Sequence, residues 1–370
     1  MSPSPAAAPV DVVVIGAGQA GLSVAATLRR RGLTGPDELV VLDADTGPGG
    51  AWQHRWPSLR LGTAHRIYPL PGSELPLADP DLPAAEVVAD YFGAYERQLG
   101  LHVLRPVVVD AVSRGEDDRL VVRAQDRAWA ARAVVSATGT WRSPFVPHLP
   151  GIDTFRGRQM HTVDFRSAEE LAGLDVLVVG GGASGVQLLA EIAPLARTTW
   201  VTRRPPVWMA EDTLTEQAGR DAVAGVERRV REGLPPLSVV STTGLGLTPA
   251  VRAARDAGYL ERLPMPVRAE PDGVVWADGR RQHVDVVLWA TGFRPSVQHL
   301  APLRLRTRAG GIRLDGTRAV DEPRLHLVGY GPSASTIGAN RAGQAAAREV
   351  LRDLRRPGVT PAPATLVPAG

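Results

Sequence analysis

Two segments of the chain share the same order of apolar run, glycine-rich turn and helical spacing. The apolar runs cover residues 11–15 and 175–179, and each is followed at once by a turn of the form Gly-x-Gly-x-x-Gly. Continuous apolar runs of this length are typical of parallel strands that are buried on both faces. The repeated pattern predicts two βαβ units and therefore two Rossmann-like dinucleotide-binding domains. The six glycines are Gly16, Gly18 and Gly21 in the first turn, and Gly180, Gly182 and Gly185 in the second.

The remaining apolar pattern predicts an α/β fold of the three-layer ββα type. Helical spacing covers residues 22–31 and 85–100, and a long helix is predicted at about 335–354. Short β-like runs predict a small meander at 107–112, 120–124 and 128–133. Further buried strands are predicted at 133–137, 284–290 and 325–329.

The first turn has the features of a dinucleotide site. Gly16 permits the tight turn, Gly18 lets the backbone approach a pyrophosphate, and Gly21 lets the helix pack against the strand. The helix N-terminus offers free N–H groups and a partial positive charge to an anion. Asp43 ends the next strand, 22 residues after Gly21, where a carboxylate accepts hydrogen bonds from ribose hydroxyls. A purely structural glycine turn is the alternative interpretation.

The second unit ends in Arg203 and Arg204 in place of an acid. Arginine at this position can hold a 2′-phosphate, which favours NADPH over NADH. Two solvated surface arginines are the alternative.

Small residues recur where two buried strands end. The motif Ala-Thr-Gly places Thr138 and Gly139 after one strand and Thr291 and Gly292 after another, and Gly329 ends the last strand. We expect these residues to mark crossings between the domains, where the backbone passes close to bound nucleotide.

Residues 49–61 contain two tryptophans, a histidine and two arginines between Gly50 and Leu61. One interpretation is a wall over a planar ring, with Trp52 beside the cofactor and arginines for an anionic group. The other is a buried tryptophan pair that anchors the loop, and the pattern favours neither.

Composition excludes several classes of chemistry. The chain of 370 residues has no cysteine, which excludes disulfides and thiolate metal sites, and no lysine, which excludes Schiff-base chemistry. No pair of histidines has metal-ligand spacing, so we expect no metal. The net charge is only +3 and the arginines are scattered among 39 acids, so a nucleic-acid partner is not expected. No apolar run has the length of a membrane span, so we expect a cytoplasmic protein, with a homodimer as a compatible state.

The stretch between the two units decides among flavoprotein families. Phe155, Gly157, His161 and Phe165 match the Phe-x-Gly-x-x-x-His-x-x-x-(Tyr/Phe) fingerprint, and the chain resembles the flavin-containing monooxygenases. The 49–61 run and the Ala-Thr-Gly motifs extend this resemblance over nearly the whole chain. It implies FAD at the first turn and NADPH at the second. The implied domains are 8–166 and 285–356 for FAD and 167–284 for NADP, followed by a disordered tail at 357–370.

Some residues depart from the family pattern. Arg166 follows Phe165 where the Baeyer–Villiger branch has tryptophan and then proline or aspartate, which disfavours ester-forming oxygen insertion. The active-site asparagine of many heteroatom oxygenases is not identifiable, and His65 is the candidate in its region. His161 is the second candidate for the catalytic site, with a role at the joint between the nucleotides favoured over proton donation. The usual Gly-Asp of the last strand is Gly329-Tyr330 here.

The resemblance implies an FAD-dependent, NADPH-consuming monooxygenase. In this family reduced flavin reacts with O2 to form a C4a-hydroperoxyflavin, which oxygenates a nitrogen, a sulfur or a reactive carbon of a small molecule. The first alternative is an NADPH oxidase or reductase on the same fold without oxygen transfer. The second is a non-catalytic flavin-binding redox sensor.

Overall fold

Two main sheets and one small sheet organise the computed structural model, which describes residues 7–64, 67–75, 78–208, 216–237 and 244–355. The larger sheet has the strand order β15-β16-β17-β6-β1-β2-β3, with β4 and β5 attached to β6 as an antiparallel meander. Its strands are β1 (Ala8–Ile15), β2 (Leu39–Leu42), β3 (Val103–Leu104), β4 (Ala111–Arg114), β5 (Leu120–Ala124), β6 (Arg127–Ser136), β15 (Leu314–Asp315), β16 (Arg318–Ala319) and β17 (Glu322–Leu327).

The centre of this sheet is parallel and is covered on both faces, as the apolar run predicts. β1 pairs in parallel with β2 and β6, and β17 pairs in parallel with β6. Val12 and Val14 pack with the helices on one face, whereas Val13 and Ile15 pack with the meander on the other. The core of the first domain is therefore helix, sheet and meander, the predicted three-layer ββα type.

The second main sheet is entirely parallel, with the order β10-β9-β8-β14-β7. Its strands are β7 (Arg158–His161), β8 (Asp175–Val179), β9 (Arg197–Val201), β10 (Arg262–Leu263) and β14 (Val286–Trp289). β7 and β14 lie outside the predicted NADP segment 167–284, yet both pair within this sheet. Strand pairing thus extends the second sheet by one strand beyond each predicted boundary.

A small antiparallel sheet covers one face of the second main sheet. It consists of β11 (Arg268–Glu270), β12 (Gly273–Val275) and β13 (Arg281–His283). Leu177 and Val179 of β8 pack towards Val274 and Trp276 on this side. Val176 and Val178 face the opposite side, with the helices. The second domain repeats the three layers of the first.

Six helices of the described residues cover the other faces. They are α1 (Gln19–Arg30), α2 (Ala84–Gln98), α3 (Ala183–Ile192), α4 (Glu216–Arg231), α5 (Pro249–Asp256) and α6 (Thr336–Leu354). α1 and α6 pack closely, since a Cβ atom on Gly343 would lie 2.7 Å from the Ser23 Cβ. Among these helices none combines the length and the apolar character that a bilayer crossing requires.

Three predicted elements differ from the structure. Residues 107–112 are mostly not a strand, because Pro106 lacks a donor and the Val107 N–H bonds to the Asp43 carbonyl before β4 begins. The predicted strands 128–133 and 133–137 form one strand, β6. The apolar spacing of residues 249–262 predicts one helix over that whole range, but α5 ends at Asp256, since Gly258 adopts a φ of +81°. The predicted tail at 357–370 lies outside the described residues.

Candidate functional site

The first glycine turn closes against the first crossing segment. Gly16 has a φ of +102°, and a Cβ atom placed on it would lie 2.6 Å from the Ala137 carbonyl oxygen. A Cβ atom on Gly21 would lie 1.8 Å from the Gly16 carbonyl oxygen, so only glycine lets α1 start this close to the turn. Both positions require glycine for backbone reasons.

The middle of the turn is approached by the loop that begins at Gly50. A Cβ atom on Gly50 would lie 2.7 Å from the Gly18 Cα, and Gly50 has a φ of +52°. Two sequence-predicted cofactor residues are therefore in direct backbone contact. Together with the N-terminus of α1, they leave a backbone cradle of the kind that takes a pyrophosphate.

Asp43 is buried beside this cradle, with 5% of its surface exposed. Its carboxylate accepts hydrogen bonds from the Ala17 N–H at 2.5 Å and the Asp45 N–H at 2.8 Å. Burial raises the pKa of Asp43, and the two backbone hydrogen bonds oppose that shift. The carboxylate thus holds the turn and lies where the sequence predicts a ribose contact.

The second turn repeats this geometry on the second crossing segment. Gly180 has a φ of +135°, and its Cβ atom would lie 2.2 Å from the Ala290 carbonyl oxygen. A Cβ atom on Gly185 would lie 3.0 Å from the Gly180 carbonyl oxygen. Gly182 differs, because a Cβ atom there would meet no atom within 4 Å. The backbone at Gly182 faces open space that a ligand can enter.

Arg203 and Arg204 lie exposed directly after β9. A third arginine, Arg262 of β10, was not predicted from the sequence. It donates to the Thr202 Oγ1 at 3.0 Å and to the Thr202 carbonyl oxygen at 2.9 Å. The Thr202 Oγ1 in turn donates to the Arg204 carbonyl oxygen at 2.6 Å. These bonds brace the backbone that carries the two exposed guanidinium groups. No local sequence pattern predicts the contact between Arg262 and Thr202, because β10 lies about sixty residues further along the chain.

The two Ala-Thr-Gly segments meet each other. The Phe145 N–H donates to the Gly292 carbonyl oxygen at 2.9 Å, and the Ser296 N–H donates to the Gly139 carbonyl oxygen at 2.9 Å. The Thr138 hydroxyl donates to the Ser296 carbonyl oxygen at 2.7 Å. The Thr291 hydroxyl donates to the Phe145 carbonyl oxygen. The crossings form one hydrogen-bonded unit between the sheets.

The glycines of the two Ala-Thr-Gly motifs have positive φ values, a conformation that favours glycine. Gly139 and Gly292 have φ values of +59° and +76°, and a Cβ atom on either would meet no atom within 4 Å. Gly329 lies against the first crossing, since its Cβ atom would be 3.6 Å from the Gly139 Cα. Gly139 and Gly292 thus border open space beside the turns, whereas Gly329 packs against the first crossing.

Each fingerprint residue has a distinct packing role. Phe155 is buried with β8 and the small sheet, and a Cβ atom on Gly157 would lie 2.4 Å from the Asp285 carbonyl oxygen. Phe165 is fully buried and meets the Trp56 ring edge-on, with ring centroids 6.4 Å apart. The fingerprint therefore attaches β7 to the second domain and to the 49–61 loop of the first.

His161 ends β7 with 4% of its surface exposed, which makes it a buried histidine. Its Nε2 lies 3.1 Å from the Gly292 carbonyl oxygen, so Nε2 carries the proton and donates. Its Nδ1 accepts from the Thr162 hydroxyl at 3.2 Å. Burial lowers the pKa of His161, although the Gly292 hydrogen bond opposes the shift. A neutral ring in this arrangement ties β7 to the second crossing. His65, the other catalytic candidate, lies outside the described residues.

The 49–61 loop contains one buried and one half-buried tryptophan. Trp56 is a buried anchor: its Nε1 donates to Glu191 of α3 at 3.1 Å, and the Ser58 hydroxyl donates to the same carboxylate at 2.5 Å. Trp52 is half-buried and packs against the cores of both domains. Glu191 was not identified from the sequence, since it lies 135 residues from Trp56. The loop of the first domain is held by a helix of the second.

A row of aromatic rings runs from this loop to His161. Trp141 stacks on Phe293 with centroids 4.9 Å apart, and Phe293 meets His161 edge-on at 5.1 Å. The Arg55 guanidinium lies 4.7 Å from the centroid of Trp141 and 5.7 Å from that of Trp52. Trp141 and Phe293 follow the two Ala-Thr-Gly motifs, so the row lines the unit that joins the domains.

One group of potential metal ligands occurs in the described part of the chain. Asp175, His283 and Asp285 have ligand atoms within 4.8 Å of one another. Arg197 already donates two hydrogen bonds to Asp175, at 2.8 and 2.7 Å, and His283 bonds to Asp285 at 3.0 Å. These contacts account for the cluster as a surface ion-pair group at the start of β8.

Comparison with known proteins decides the family. The model of the family "Pyridine nucleotide-disulphide oxidoreductase" matches residues 13–218. A flavin-containing monooxygenase from Stenotrophomonas maltophilia is 38% identical, with a TM-score of 0.79 and coverage of 94% of this chain and 99% of that one.

The chain belongs to the flavin-containing monooxygenase family. It is a flavin-dependent oxidoreductase of the monooxygenase type, and its cofactors are FAD and NADPH. Because it has no cysteine, the disulphide chemistry named in the broader family does not apply to it.

More distant monooxygenases share parts of the sequence. Indole-3-pyruvate monooxygenase YUCCA4 from Oryza sativa subsp. japonica is 26% identical over 386 residues, covering 90% of this chain and 86% of that protein. A Baeyer-Villiger monooxygenase from Streptomyces coelicolor is 31% identical over 234 residues, covering 61% of this chain and 43% of that protein.

The residues of this flavin-containing monooxygenase fit both cofactors. The first turn offers a helix N-terminus, a glycine backbone and the Asp43 carboxylate, which suit a pyrophosphate and a ribose. The second turn offers open space over Gly182 and two exposed arginines, which suit a phosphorylated nucleotide.

Proposed function

We propose that this enzyme uses NADPH and O2 to oxygenate a soft nitrogen or sulfur centre, or a reactive carbon, of a small molecule. The observation that carries the proposal is the paired closure of the two glycine turns. Gly16 closes on Ala137 and Gly180 closes on Ala290, and the two crossing segments are hydrogen-bonded to each other. Nucleotides bound at these two turns would therefore both border one shared unit.

We assign FAD to the first turn. Its backbone cradle, together with the loop start at Gly50, would hold the pyrophosphate, and Asp43 would accept from the ribose. Trp52 and the crossing residues would border the rest of the cofactor. Bound FAD supplies hydride acceptance and the activation of O2. The proposed FAD-binding residues are Gly16, Gly18, Gly21, Asp43, Gly50, Trp52, Thr138, Gly139 and Gly329.

We assign NADPH to the second turn. The N-terminus of α3 would take the diphosphate, and the two arginines after β9 would take the 2′-phosphate. The bonds from Arg262 to Thr202 support this assignment, because they fix the backbone next to those arginines. The proposed NADPH-binding residues are Gly180, Gly182, Gly185, Arg203, Arg204, Thr291 and Gly292.

The role we propose for His161 is to position the two crossings rather than to transfer a proton. Its Nε2–H is engaged by the Gly292 carbonyl oxygen, and its Nδ1 is engaged by Thr162. A ring with both nitrogens occupied is poorly placed to exchange a proton with substrate. Its contribution is to hold the second crossing against β7 and so to limit the access of water to the joint.

The proposal is tested by a mass balance on the FAD-loaded enzyme. NADPH consumed, hydrogen peroxide released and oxygenated product formed are measured with an amine, a thioether and a 2-oxo acid. Product that accounts for the NADPH not recovered as peroxide supports a monooxygenase. Peroxide equal to NADPH with every compound would favour the oxidase alternative, and flavin that NADPH does not bleach would favour the redox sensor. The cytoplasmic location and the homodimer stay predictions.

A further inference from the structure

Arg55 is a cation held between two tryptophan rings. Its guanidinium carbon lies 5.7 Å from the centroid of Trp52 and 4.7 Å from that of Trp141. Its Nε has no contact with solvent and no hydrogen-bond partner. Burial lowers the pKa of Arg55 to about 10, so the group is still a cation at neutral pH. The aromatic faces stabilise the charge, but they leave the buried Nε–H without an acceptor.

Other partly buried arginines of the described chain have a hydrogen-bond acceptor, which is a backbone carbonyl oxygen for Arg119 and Arg262 and a carboxylate for three more. Arg105 bonds to Glu96 at 2.7 Å, Arg324 to Glu322 at 2.7 Å, and Arg318 to Asp353 at 2.6 Å. Arg55 makes no side-chain hydrogen bond or ion pair with any described residue. A partly buried cation without a counter-ion, and with a buried N–H donor that has no acceptor, is unfavourable. This points to a partner that the described residues do not supply.

The acid of the same loop region is already engaged by other cations. Asp45 accepts from Arg142 at 2.5 Å and from the His54 Nε2 at 3.0 Å. Arg142 follows Trp141 in the sequence and His54 stacks on the Trp141 ring with centroids 6.1 Å apart, so the carboxylate nearest to this ring is paired with these two cations and not with Arg55. The anion that completes the Arg55 site therefore comes from a bound molecule.

The surroundings of Arg55 indicate what that molecule carries besides its anion. From Trp141 the aromatic row continues to Phe293 at 4.9 Å and to His161 beyond it. These rings line the unit where the two crossing segments meet. A planar or apolar ligand can pack along this row while its anionic group meets the guanidinium.

We propose that Arg55 binds the carboxylate of the substrate and that the enzyme prefers aromatic carboxylates. This inference rests on the proposed function and names the substrate class for it. The anion that Arg55 recognises could also be supplied by a cofactor diphosphate, so the test must separate these two sources.

The test uses a matched pair of thioethers that differ in charge. 4-(Methylthio)benzoate and 4-(methylthio)benzamide are titrated into the FAD-loaded enzyme, and binding is followed by the change in flavin absorbance. The variants are Arg55→Met, which removes the charge, and Arg55→Lys, which keeps it. Arg142→Ala is the matched control, because it removes a neighbouring arginine that is paired with Asp45. FAD content and the KM for NADPH are measured for each protein.

We expect the natural enzyme and Arg142→Ala to bind the benzoate at least about tenfold more tightly than the benzamide. Arg55→Met should abolish that preference while FAD content and the KM for NADPH stay within about twofold. Arg55→Lys should retain part of the preference for the benzoate. If Arg55→Met loses FAD, the preference measured with Arg55→Lys tests the inference in its place.

The inference is overturned if the natural enzyme shows no preference for the benzoate. It is also overturned if Arg55→Lys and Arg55→Met mainly raise the KM for NADPH or release FAD, since the anion then belongs to a cofactor. Binding requires no oxygen transfer. A carboxylate preference that depends on Arg55 therefore stands even if neither thioether is oxygenated and the proposed function fails.

Discussion

A Cβ atom on Gly180 would lie 2.2 Å from the carbonyl oxygen of Ala290, which begins the second Ala-Thr-Gly motif. Gly16 has the same relationship to Ala137 of the first motif, at 2.6 Å. Each nucleotide turn is thus in backbone contact with the segment that leads to the other domain. A side chain at either glycine would separate a turn from its crossing, and the two halves of the molecule would lose their common support.

Alanine substitutions in the second turn should separate fold from binding. Gly180→Ala should lower the free energy of unfolding by about 2 kcal/mol or more, because its backbone and its contact with Ala290 both require glycine. Gly182→Ala should leave stability nearly unchanged, since its Cβ atom would face open space and its φ is −97°. It should still weaken NADPH binding, because the methyl group occupies space proposed for the nucleotide.

Thermal unfolding and NADPH titration of both variants check this prediction. Equal stability loss in the two variants would contradict the geometry of the turn. Unchanged NADPH affinity in Gly182→Ala would contradict the assignment of the nucleotide to this turn.

Replacing Arg203 and Arg204 by alanine should weaken the use of NADPH far more than that of NADH. A charge-assisted hydrogen bond contributes about 1.5–3 kcal/mol, so kcat/KM for NADPH should fall by about tenfold to hundredfold. The value for NADH should change little. Arg280→Ala is the control, because Arg280 is exposed on a hairpin and pairs with Asp278. Parallel losses with both nucleotides would show that these arginines do not bind the 2′-phosphate.

Substitution of His161 should redirect oxygen from product to peroxide. Phenylalanine fills a similar volume but cannot donate to the Gly292 carbonyl oxygen, so the second crossing loses one attachment to β7. We expect at least about twofold more peroxide per NADPH, with FAD content retained. His161→Gln, which can donate again, should recover part of the coupling. If His161→Phe stops flavin reduction and Gln rescues nothing, the positioning role is wrong.

Buried histidines should make stability decline in mild acid. Burial lowers the pKa of His299 to about 4, from an ordinary value of 6.5. The unfolded chain therefore binds the proton first, and the stability from neutral His299 is present above pH 6.5 and lost as the pH falls towards about 4. At pH 5 the loss should be about 2 kcal/mol. Denaturant unfolding at roughly pH 7.5 and roughly pH 5 measures this difference in the free energy of unfolding.

His299→Gln is the matched variant, since it can still bond to the Ser136 hydroxyl that lies 3.1 Å from the His299 Nε2. The difference in stability between the two pH values should shrink by about 2 kcal/mol in this variant. Burial also lowers the pKa of His326, so part of the dependence of stability on pH remains in this variant. An unchanged slope in His299→Gln would mean that His299 is not the titrating group.

Glu191 should couple the two domains. Glu191→Ala leaves the Trp56 Nε1 and the Ser58 hydroxyl without their acceptor, so unfolding free energy should fall by about 1–3 kcal/mol. Ser58→Ala removes only one of the two bonds and should cost less. Both variants should release more peroxide per NADPH, because the loop over the first turn is less firmly held. Stability loss without any change in coupling would limit Glu191 to a structural role.

Local patterns predicted the parts of the fold that local chemistry determines. The glycine turns, β8, α3 and the capped helix α6 follow from apolar periodicity and from residues such as Ser335, whose hydroxyl accepts from the Gly338 N–H. The boundaries of the second domain do not, because β14 joins the sheet by pairing with β8, and β7 joins it by pairing with β14.

Residues of the candidate site could be predicted where a single motif contains them. The cofactor glycines and Asp43 are read from single motifs. The link from Trp56 to Glu191 and the contact of Arg55 with Trp141 join residues far apart in the chain, so no local pattern reports them. Phe293 follows its Ala-Thr-Gly motif directly and Trp141 follows the other motif after one residue, so their positions in the sequence indicate that both lie near the crossings.

The central claim is that the two nucleotide sites support oxygen transfer to a substrate. It is tested most directly by turnover under ¹⁸O2, with the compound that most stimulates NADPH oxidation and with product, peroxide and NADPH quantified together. The account predicts one labelled oxygen atom in each product molecule and a product yield that accounts for the NADPH not recovered as peroxide. Product without label, or peroxide equal to NADPH for every amine, thioether and 2-oxo acid tested, would contradict it.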